Sequence, residues 1–520
     1  MFFYQAIQRN AIVQPNTMAT SFGERERTWL EVKERIAKFA GALAGIGAGK
    51  GTHVALLSLN SDKFFECLNA IPWAGGTMVP LNIRWSVKEN LYSINDSESS
   101  ILLVDDSFVE VGKELLTLSD NIKQMIYIGE GETPAGMLGY EELIASTQAI
   151  EPVAGSHDDL AGIFYTGGTT GFPKGVMLSH KNLWSSSVCL MSAMNINVEG
   201  DRYLHAAPMF HLADIGIGYG TVIAGLSQVF IPAFAPGPVI DVIQEKKVNH
   251  VLLVPTMVTL LLADPALKDA DLSSLENIVY GASPMPEGIL TSAMEKMPSV
   301  NFIQAYGQSE LSPLISVLQS KYHVLEGPNA GKLRSAGQPG YCVNVEIRDE
   351  AGKAVPVGEV GEIAAIGPNV MMGYWKNEKQ TTSTIIDGWV MTGDAGYMDE
   401  DGFLFLVDRV KDMIVTGGEN VFSAEVENAL SMHPKILESI VIGIPSEKWG
   451  EAVHAIIRLN PGETISEEEV AAHCKENIAN YKAPRSMEIR EEPFPMTGAG
   501  KYKKNELRDP FWKDKSRSIN

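Results

Sequence analysis

Apolar residues recur at helical spacing over residues 28–48, with Thr28 in the position of an N-cap, and predict an amphipathic helix. Beyond it the pattern changes. The run 53–59 (His-Val-Ala-Leu-Leu-Ser-Leu) is almost wholly apolar and predicts a buried strand. A helix over 62–74, a strand over 77–81, another helix and strands at 101–104 and 124–128 follow. Apolar strands alternating with helices predict a mostly parallel sheet covered on both faces. A further apolar run leads into a glycine-rich stretch near 167, after which a helix is predicted over 179–194. A second alternating region, 203–306, has strands at 227–231, 250–254 and 277–280 and predicts a second α/β unit; no short-period repeat is present.

After about residue 335 short β-type runs (343–348, 361–366, 389–391, 396–398 and 403–407) are separated by Gly and Asp turns, the pattern of a small barrel or distorted sheet. The charged run Asp408-Arg409-Val410-Lys411-Asp412 precedes a strand at 413–416, and a domain boundary is placed there, giving 1–410 and 411–520. The last stretch, about 110 residues and enough for a compact unit, carries helical patterns at 423–432 and 466–477 and strands at 439–444 and 452–459. The predicted class is α/β: a large N-terminal domain of two α/β units plus a small β-barrel, then a small α+β domain.

Composition narrows the partners. With 520 residues the chain exceeds what one core supports, and 45% hydrophobic with 20% charged residues is ordinary for a soluble protein. A formal net charge of −22 argues against nucleic acid as the main partner and disfavours adsorption to anionic membranes. Cys67, Cys189, Cys342 and Cys474 are widely separated, and four thiols in a reducing compartment are expected. The N-terminus lacks a basic region followed by a long apolar core, and the most apolar stretch, 251–262, is too short to span a bilayer and contains Pro255. A cytoplasmic location is expected.

Candidate chemistry lies in residues 163–176, Ile-Phe-Tyr-Thr-Gly-Gly-Thr-Thr-Gly-Phe-Pro-Lys-Gly-Val. Glycines let backbone N–H groups approach an anion, and threonine hydroxyls and an ammonium can complete a polyphosphate cradle. The loop fits neither G-x-x-x-x-G-K-[ST], since Lys174 lies between Pro173 and Gly175, nor G-x-G-x-x-G. Four further motifs accompany it: Gln304-Ala-Tyr-Gly-Gln-Ser-Glu310, Thr392-Gly-Asp394, Asp408-Arg-Val-Lys-Asp412 and Gly498-Ala-Gly-Lys501. In order and spacing the five together resemble the adenylate-forming superfamily of acyl-CoA synthetases, luciferases and peptide-synthetase adenylation domains, over essentially the whole chain. Two positions depart from the family pattern: Gly167 stands where serine is usual and Ser309 where threonine is commoner.

The resemblance implies ATP, Mg²⁺ and coenzyme A as cofactors and co-substrates. Thr166, Gly168, Thr169, Thr170 and Lys174 would hold the β,γ-phosphates, and Glu310 the Mg²⁺ ion, with Ser309 beside it. Tyr306 would lie against the adenine, with Gly281, Ala282 and Ser283 opposite; Asp394 would bind the ribose and Arg409 the ribose–phosphate region. Lys501 would reach the carboxylate and α-phosphate during adenylation. Lys411 aligns with the hinge about which the C-terminal domain rotates between half-reactions, swinging Lys501 out and bringing Gly417 and Gly418 towards a thiol tunnel. His211, with Gly281, Ala305 and Gly307, would line the acyl pocket. The glycines at 216, 218 and 220 would leave volume there for a medium or long acyl chain or an aryl-propenoate.

Gly443-Ile-Pro-Ser-Glu-Lys-Trp-Gly-Glu451 and Tyr481-Lys-Ala-Pro484 look like those of fatty acyl- and coumaroyl-type CoA ligases, and no carrier-protein domain is expected after Asn520, which disfavours a multimodular synthetase. The expected activity is an AMP-forming acid–CoA ligase acting on a fatty acid. The alternatives are an aryl-propenoate ligase and, from another class, a catalytically silent nucleotide sensor; a luciferase-type oxygenase shares the motifs. A homodimer is the default assembly.

Overall fold

A computed structural model describes the chain except for residues 168–172, 195, 197–199, 410–411, 418, 447, 498–501 and 514–520 and the side chains of 408, 409 and 420. Helices start where the sequence supplies caps. Thr28 accepts from Glu31 N in a reciprocal capping box that opens Trp29–Gly45; Ser61 opens Asp62–Trp73, Ser86 opens Val87–Asp96 and Ser179 opens His180–Ala193.

Two sheets dominate. The first has eight strands in the order Gly373–Tyr374, Lys174–Ser179, Leu160–Thr166, Thr77–Pro80, His53–Leu57, Ile101–Val104, Gln124–Tyr127 and Leu138–Gly139, parallel from Leu160–Thr166 onward. Its inner strands are buried along their whole length, which explains their uninterrupted apolar runs. The second has nine strands in the order Gln338–Pro339, Ser316–Leu318, Asn301–Tyr306, Asn277–Gly281, His250–Leu252, Arg202–His205, Ser227–Phe230, Met18–Phe22 and Arg25–Thr28. Antiparallel sheets follow: Asn344–Arg348, Gly361–Ile366, Trp389–Met398 and Ile385–Ile386 with Leu404–Arg409, then Glu419–Val421, Ile414–Thr416, Gly450–Leu459 and Ile436–Ser446, the last sheet carrying Ser486–Ile489 in parallel on Gly450–Leu459. The α/β class with a large N-terminal and a small C-terminal domain is thus observed.

The structure differs from expectation at four points. The helix stands where expected, His180–Ala193, but a strand the sequence pattern did not show, Lys174–Ser179, antiparallel to Leu160–Thr166, precedes it. The runs 389–391 and 396–398 are one strand, Trp389–Met398, with the Thr392-Gly-Asp394 motif inside it and a register shift in its pairing with Gly361–Ile366 absorbing the turn-like residues. The second sheet does not begin at 203: Met18–Phe22 pairs in parallel with Ser227–Phe230 and places the N-terminal hairpin in it. Cys189 and Cys342 are joined as a disulfide across a Cα–Cα distance of 6.5 Å, and only Cys67 and Cys474 are free. A sequence separation of 153 residues leaves no local signal for that pair.

Separate apolar clusters back the two sheets, one around Trp29, Phe39, Trp73 and Tyr140, the other around Tyr203, Tyr280 and Phe302. Each such side chain contributes about 1.5–3 kcal/mol on burial. Polar groups fix how the two units meet. Arg25 and Arg27 of the N-terminal hairpin bind the buried carboxylate of Asp62, Arg25 through a 2.7 Å pair. Desolvation pushes the Asp62 carboxyl up, but the two guanidiniums outweigh it and hold it below the usual range. Among the described residues no helix is long and apolar enough to cross a membrane.

Candidate active site

Parallel strands of both sheets end at a shared cleft of about 1780 Å³. Ligand clefts form at this edge of open α/β sheets because strand-end loops there are free to converge. Asn60 holds the two units together at the cleft: its amide donates to His205 O (3.2 Å) and Ala207 O (2.8 Å), and its Oδ1 accepts from Met209 N (2.8 Å). The loop carrying Phe210 and His211, both in the cleft wall, is therefore fixed from the first unit. His211 caps the helix Leu212–Ala224, its Nδ1 accepting from Ala213 N at 3.2 Å, so the neutral ring carries its proton on Nε2.

The glycines of that helix do not supply the expected volume. A Cβ at Gly218 would lie 2.6 Å from the His205 ring, one at Gly220 2.7 Å from Ser187 O, and one at Gly216 2.8 Å from Pro313. Their missing side chains are filled by close packing. The apolar wall of the cleft comes instead from Leu190, Ile217, Leu252, Met285, Ile289 and Leu314.

On the first-unit side Thr166 stands directly opposite Lys174 in the hairpin, and both line the cleft with Gly167. Gly168, Thr169 and Thr170 lie outside the described residues. A Cβ at Gly167 would meet nothing within 4 Å, so the family's serine would fit. The Lys174 ammonium lies 5.4 Å from the centre of the Tyr374 ring, and Tyr374 donates its hydroxyl to Glu310 Oε1 at 2.7 Å. Burial, then the adjacent Glu310 charge, raises the Tyr374 pKa, so the phenol keeps its proton. Tyr374 is itself held by strand pairing with Val176 and by the neighbouring bond from Trp375 N to Gly175 O (2.7 Å). Lys174, Tyr374 and Glu310 thus form a row in which an aromatic ring separates a cation from a carboxylate.

On the second-unit side the wall needs its glycines. A Cβ at Gly281 would stand 2.1 Å from Ala305 O and one at Gly307 1.8 Å from Pro313 O, while Ala282 takes a left-handed φ of 66°. Gly281, Ala282, Ser283, Ala305, Gly307, Ser309 and Glu310 all line the cleft. Tyr306 donates its hydroxyl to Asp394 Oδ2 at 2.7 Å, and Asp394 pairs in register with Arg409, whose side chain lies outside the described residues.

From the C-terminal segment Met496, Thr497, Tyr502 and Lys503 line the cleft, and Met496 forms an antiparallel bridge with Tyr502. Lys501, Lys411 and Gly418 lie outside the described residues. Gly417 is not in the cleft wall; it has a left-handed φ of 63°, and its N–H donates to Trp449 O at 2.8 Å. Sequence reasoning missed Asn60 and Tyr374. The Asn60 loop carries no motif, and Tyr374 reaches the site only through pairing of a two-residue strand.

Residues 7–375 match the AMP-binding enzyme family model, and residues 425–501 match the AMP-binding enzyme C-terminal domain. Over 504 residues the chain is 35% identical to a feruloyl-CoA synthase of Amycolatopsis sp, covering 97% of this chain and 98% of that protein. Over 514 residues it is 34% identical to a medium/long-chain-fatty-acid–CoA ligase of Mycobacterium tuberculosis, covering 96% and 88%. The solved structure of an anthranilate CoA ligase in complex with anthranoyl-AMP matches with a TM-score of 0.90 at 26% identity, covering 98% of this chain and 97% of that one. With strand-end motifs, cleft and both segments matched along its length, the chain belongs to the AMP-binding enzyme family of adenylate-forming ligases.

Proposed function

We propose that the protein joins a medium- or long-chain fatty acid to coenzyme A, releasing AMP and diphosphate through an acyl-adenylate. A carboxylate is a poor electrophile, and its attack on the α-phosphorus of ATP converts oxide into a good leaving group, AMP. The charge that develops on phosphoryl oxygens calls for cations and N–H donors fixed in advance. Lys174 and the threonines of the loop would hold the leaving diphosphate, Tyr306 and the Gly281–Ser283 wall the adenine, Asp394 and Arg409 the ribose. Lys501 would reach the reacting oxygens.

Glu310 suits a hard cation: one carboxylate oxygen is oriented by Tyr374, and the other takes no protein hydrogen bond among the described residues. Mg²⁺ held there would offset phosphate charge. Met496, Thr497, Tyr502 and Lys503 in the cleft wall, with Gly417 outside it, support an arrangement suited to adenylation, with rotation about Lys411 and a boundary between 410 and 411. The chain leaves one sheet at Arg409 and enters another at Ile414, which supports that boundary.

The observation that carries the fatty-acid reading is the set of apolar side chains, Leu190, Ile217, Leu252, Met285, Ile289 and Leu314, that line the same cleft as His211. The similarity to a feruloyl-CoA synthase favours an aryl-propenoate as the second reading. Diphosphate release on mixing with ATP, CoA and acids from short fatty to aryl-propenoic tests both. A rate that rises with chain length supports the first, preference for coumarate or ferulate the second, and silence across the panel a nucleotide sensor instead. A cytoplasmic location and a homodimer complete the proposal.

A further inference from the structure

Three neighbouring strands of the second sheet begin together at the edge away from the cleft. Arg202–His205, His250–Leu252 and Asn277–Gly281 run parallel, with Tyr203 level with His250 and His250 level with Asn277. Asp201 and Glu276 each immediately precede an outer strand, and His250 opens the one between them. Backbone bonds fix this edge: Asn249 N donates to Arg202 O at 3.0 Å, and Glu276 N and Asn277 N donate to Asn249 O at 2.8 and 3.0 Å. None of Asp201, His250 and Glu276 is in the cleft wall.

The three side chains converge. One ligand atom from each lies within 4.8 Å of the other two, and His250 Nε2 is 3.0 Å from Asp201 Oδ2. His250 and Asp201 are buried and Glu276 is half-buried. Among the described residues neither carboxylate pairs with a lysine or arginine, whereas the buried Asp62 and Glu66 are bound by Arg25, Arg27 and Arg35. Two carboxylates held this close repel each other unless a cation lies between them.

On its other side the His250 ring meets the Asn277 amide, whose nitrogen is 2.9 Å from Nδ1 and whose Oδ1 is buried without a hydrogen-bond partner. The two ends of an amide have the same shape and exchange by a flip. With its oxygen towards the ring, Asn277 accepts from Nδ1–H and leaves the Nε2 lone pair facing the carboxylates, the way a histidine is oriented as a metal ligand. Ligands about 2.1 Å from a tetrahedral ion stand roughly 3.4 Å apart. The 3.0 Å pair is close to that spacing, and rotation of the half-buried Glu276 can bring in the third ligand.

We propose that Asp201, His250 and Glu276 form a site for one divalent transition-metal ion of the zinc class, which pins the starts of three strands on the side of the second unit opposite the cleft. An imidazole nitrogen with two carboxylates suits zinc better than magnesium, which favours oxygen and keeps its water. The ion is structural, and the inference does not depend on the ligase reading.

The test strips wild type with a chelator and titrates it with zinc chloride against a chromophoric zinc chelator. Excess Mg²⁺ is present so that Glu310 does not compete. The expected result is one zinc ion per chain, held at least about 10-fold more weakly by Glu276→Gln and more weakly still by His250→Gln. Zinc should raise the Tm of wild type and not that of His250→Gln. Asn277→Asp keeps an acceptor for Nδ1–H and should retain zinc, whereas Asn277→Leu should lose about 10-fold in affinity. Circular dichroism checks each fold, and the half-buried Glu276→Gln keeps the test open if a buried variant unfolds. Zinc bound equally by wild type and Glu276→Gln places the ion elsewhere and overturns the proposal. Absence of zinc binding by wild type also overturns it, and leaves His250 as a hydrogen-bond donor to Asp201 alone.

Discussion

Tyr374→Phe isolates the row of Lys174, Tyr374 and Glu310, because it removes one oxygen and keeps the ring. The lost bond is 2.7 Å long and ends on a carboxylate. Hydrogen bonds to charged groups are worth about 1.5–3 kcal/mol, and a half-exposed acceptor places this one at the lower end. About 1.5 kcal/mol is roughly tenfold in rate. The ring of phenylalanine would still face the Lys174 ammonium at 5.4 Å, so the cation stays in place and the effect falls on Glu310 alone. The expected outcome in acid-dependent diphosphate exchange is a roughly tenfold higher Mg²⁺ concentration for half-maximal rate, with the KM for the acid unchanged. Tyr374→Leu also forfeits the cation–ring attraction, at about 0.5–1 kcal/mol a further twofold to fivefold. A Phe variant with wild-type rate and Mg²⁺ dependence would refute the reasoning, since Glu310 would then be oriented without the hydroxyl.

Other outcomes follow from the same geometry. Gly281→Ala forces a Cβ to within 2.1 Å of a backbone oxygen, so it should destabilise by at least about 3 kcal/mol, read by urea denaturation; wild-type stability would show that the wall can yield. Lys501→Ala should remove most adenylation and largely preserve thioester formation from supplied acyl-adenylate, and equal loss in both assays would contradict that division of labour. His180 is buried and accepts from Phe3 N at 3.1 Å, and burial lowers its pKa to about 4. Because the folded pKa lies below the unfolded one, the unfolded chain binds the extra proton. His180 therefore contributes its full stability above about pH 6.5 and loses it as pH falls towards 4, a change of about 3 kcal/mol. Urea titrations between pH 7.5 and 4 should show that slope diminished in His180→Gln.

Much of this was legible because it is local. Helix starts at Thr28, Ser61 and Ser179 are written as capping residues, and the inner strands of the first sheet as unbroken apolar runs. The motif around Gly307 runs past the end of the strand Asn301–Tyr306, and Gly281 and Gly307 are obligatory because a facing carbonyl occupies the space of a Cβ. What was not legible depends on partners far away in sequence. Lys174–Ser179 is a strand because Leu160–Thr166 lies beside it, not because of its own pattern. The alternating glycines at 216–220 read as an open pocket only until the rings of His205 and Tyr203 and the backbone of Ser187 are seen pressed against them. Tyr374 and Asn60 act through side-chain contacts across units, for which no periodicity exists.

The N-terminal hairpin has a consequence for synthesis. Thr20 finds its parallel partner in Gln228, so the strand Met18–Phe22 leaves the ribosome about two hundred residues before the strand it must join. At translation rates of about 5–20 residues per second that is a wait of roughly 10–40 s, during which all of the first sheet except its Gly373–Tyr374 edge can assemble but the hairpin cannot dock. Arg25 and Arg27 offer a provisional berth, since Asp62 lies on the early helix Asp62–Trp73 and emerges soon after them. The ionic contact that fixes the two units in the finished protein is also available to hold the nascent hairpin until its sheet arrives.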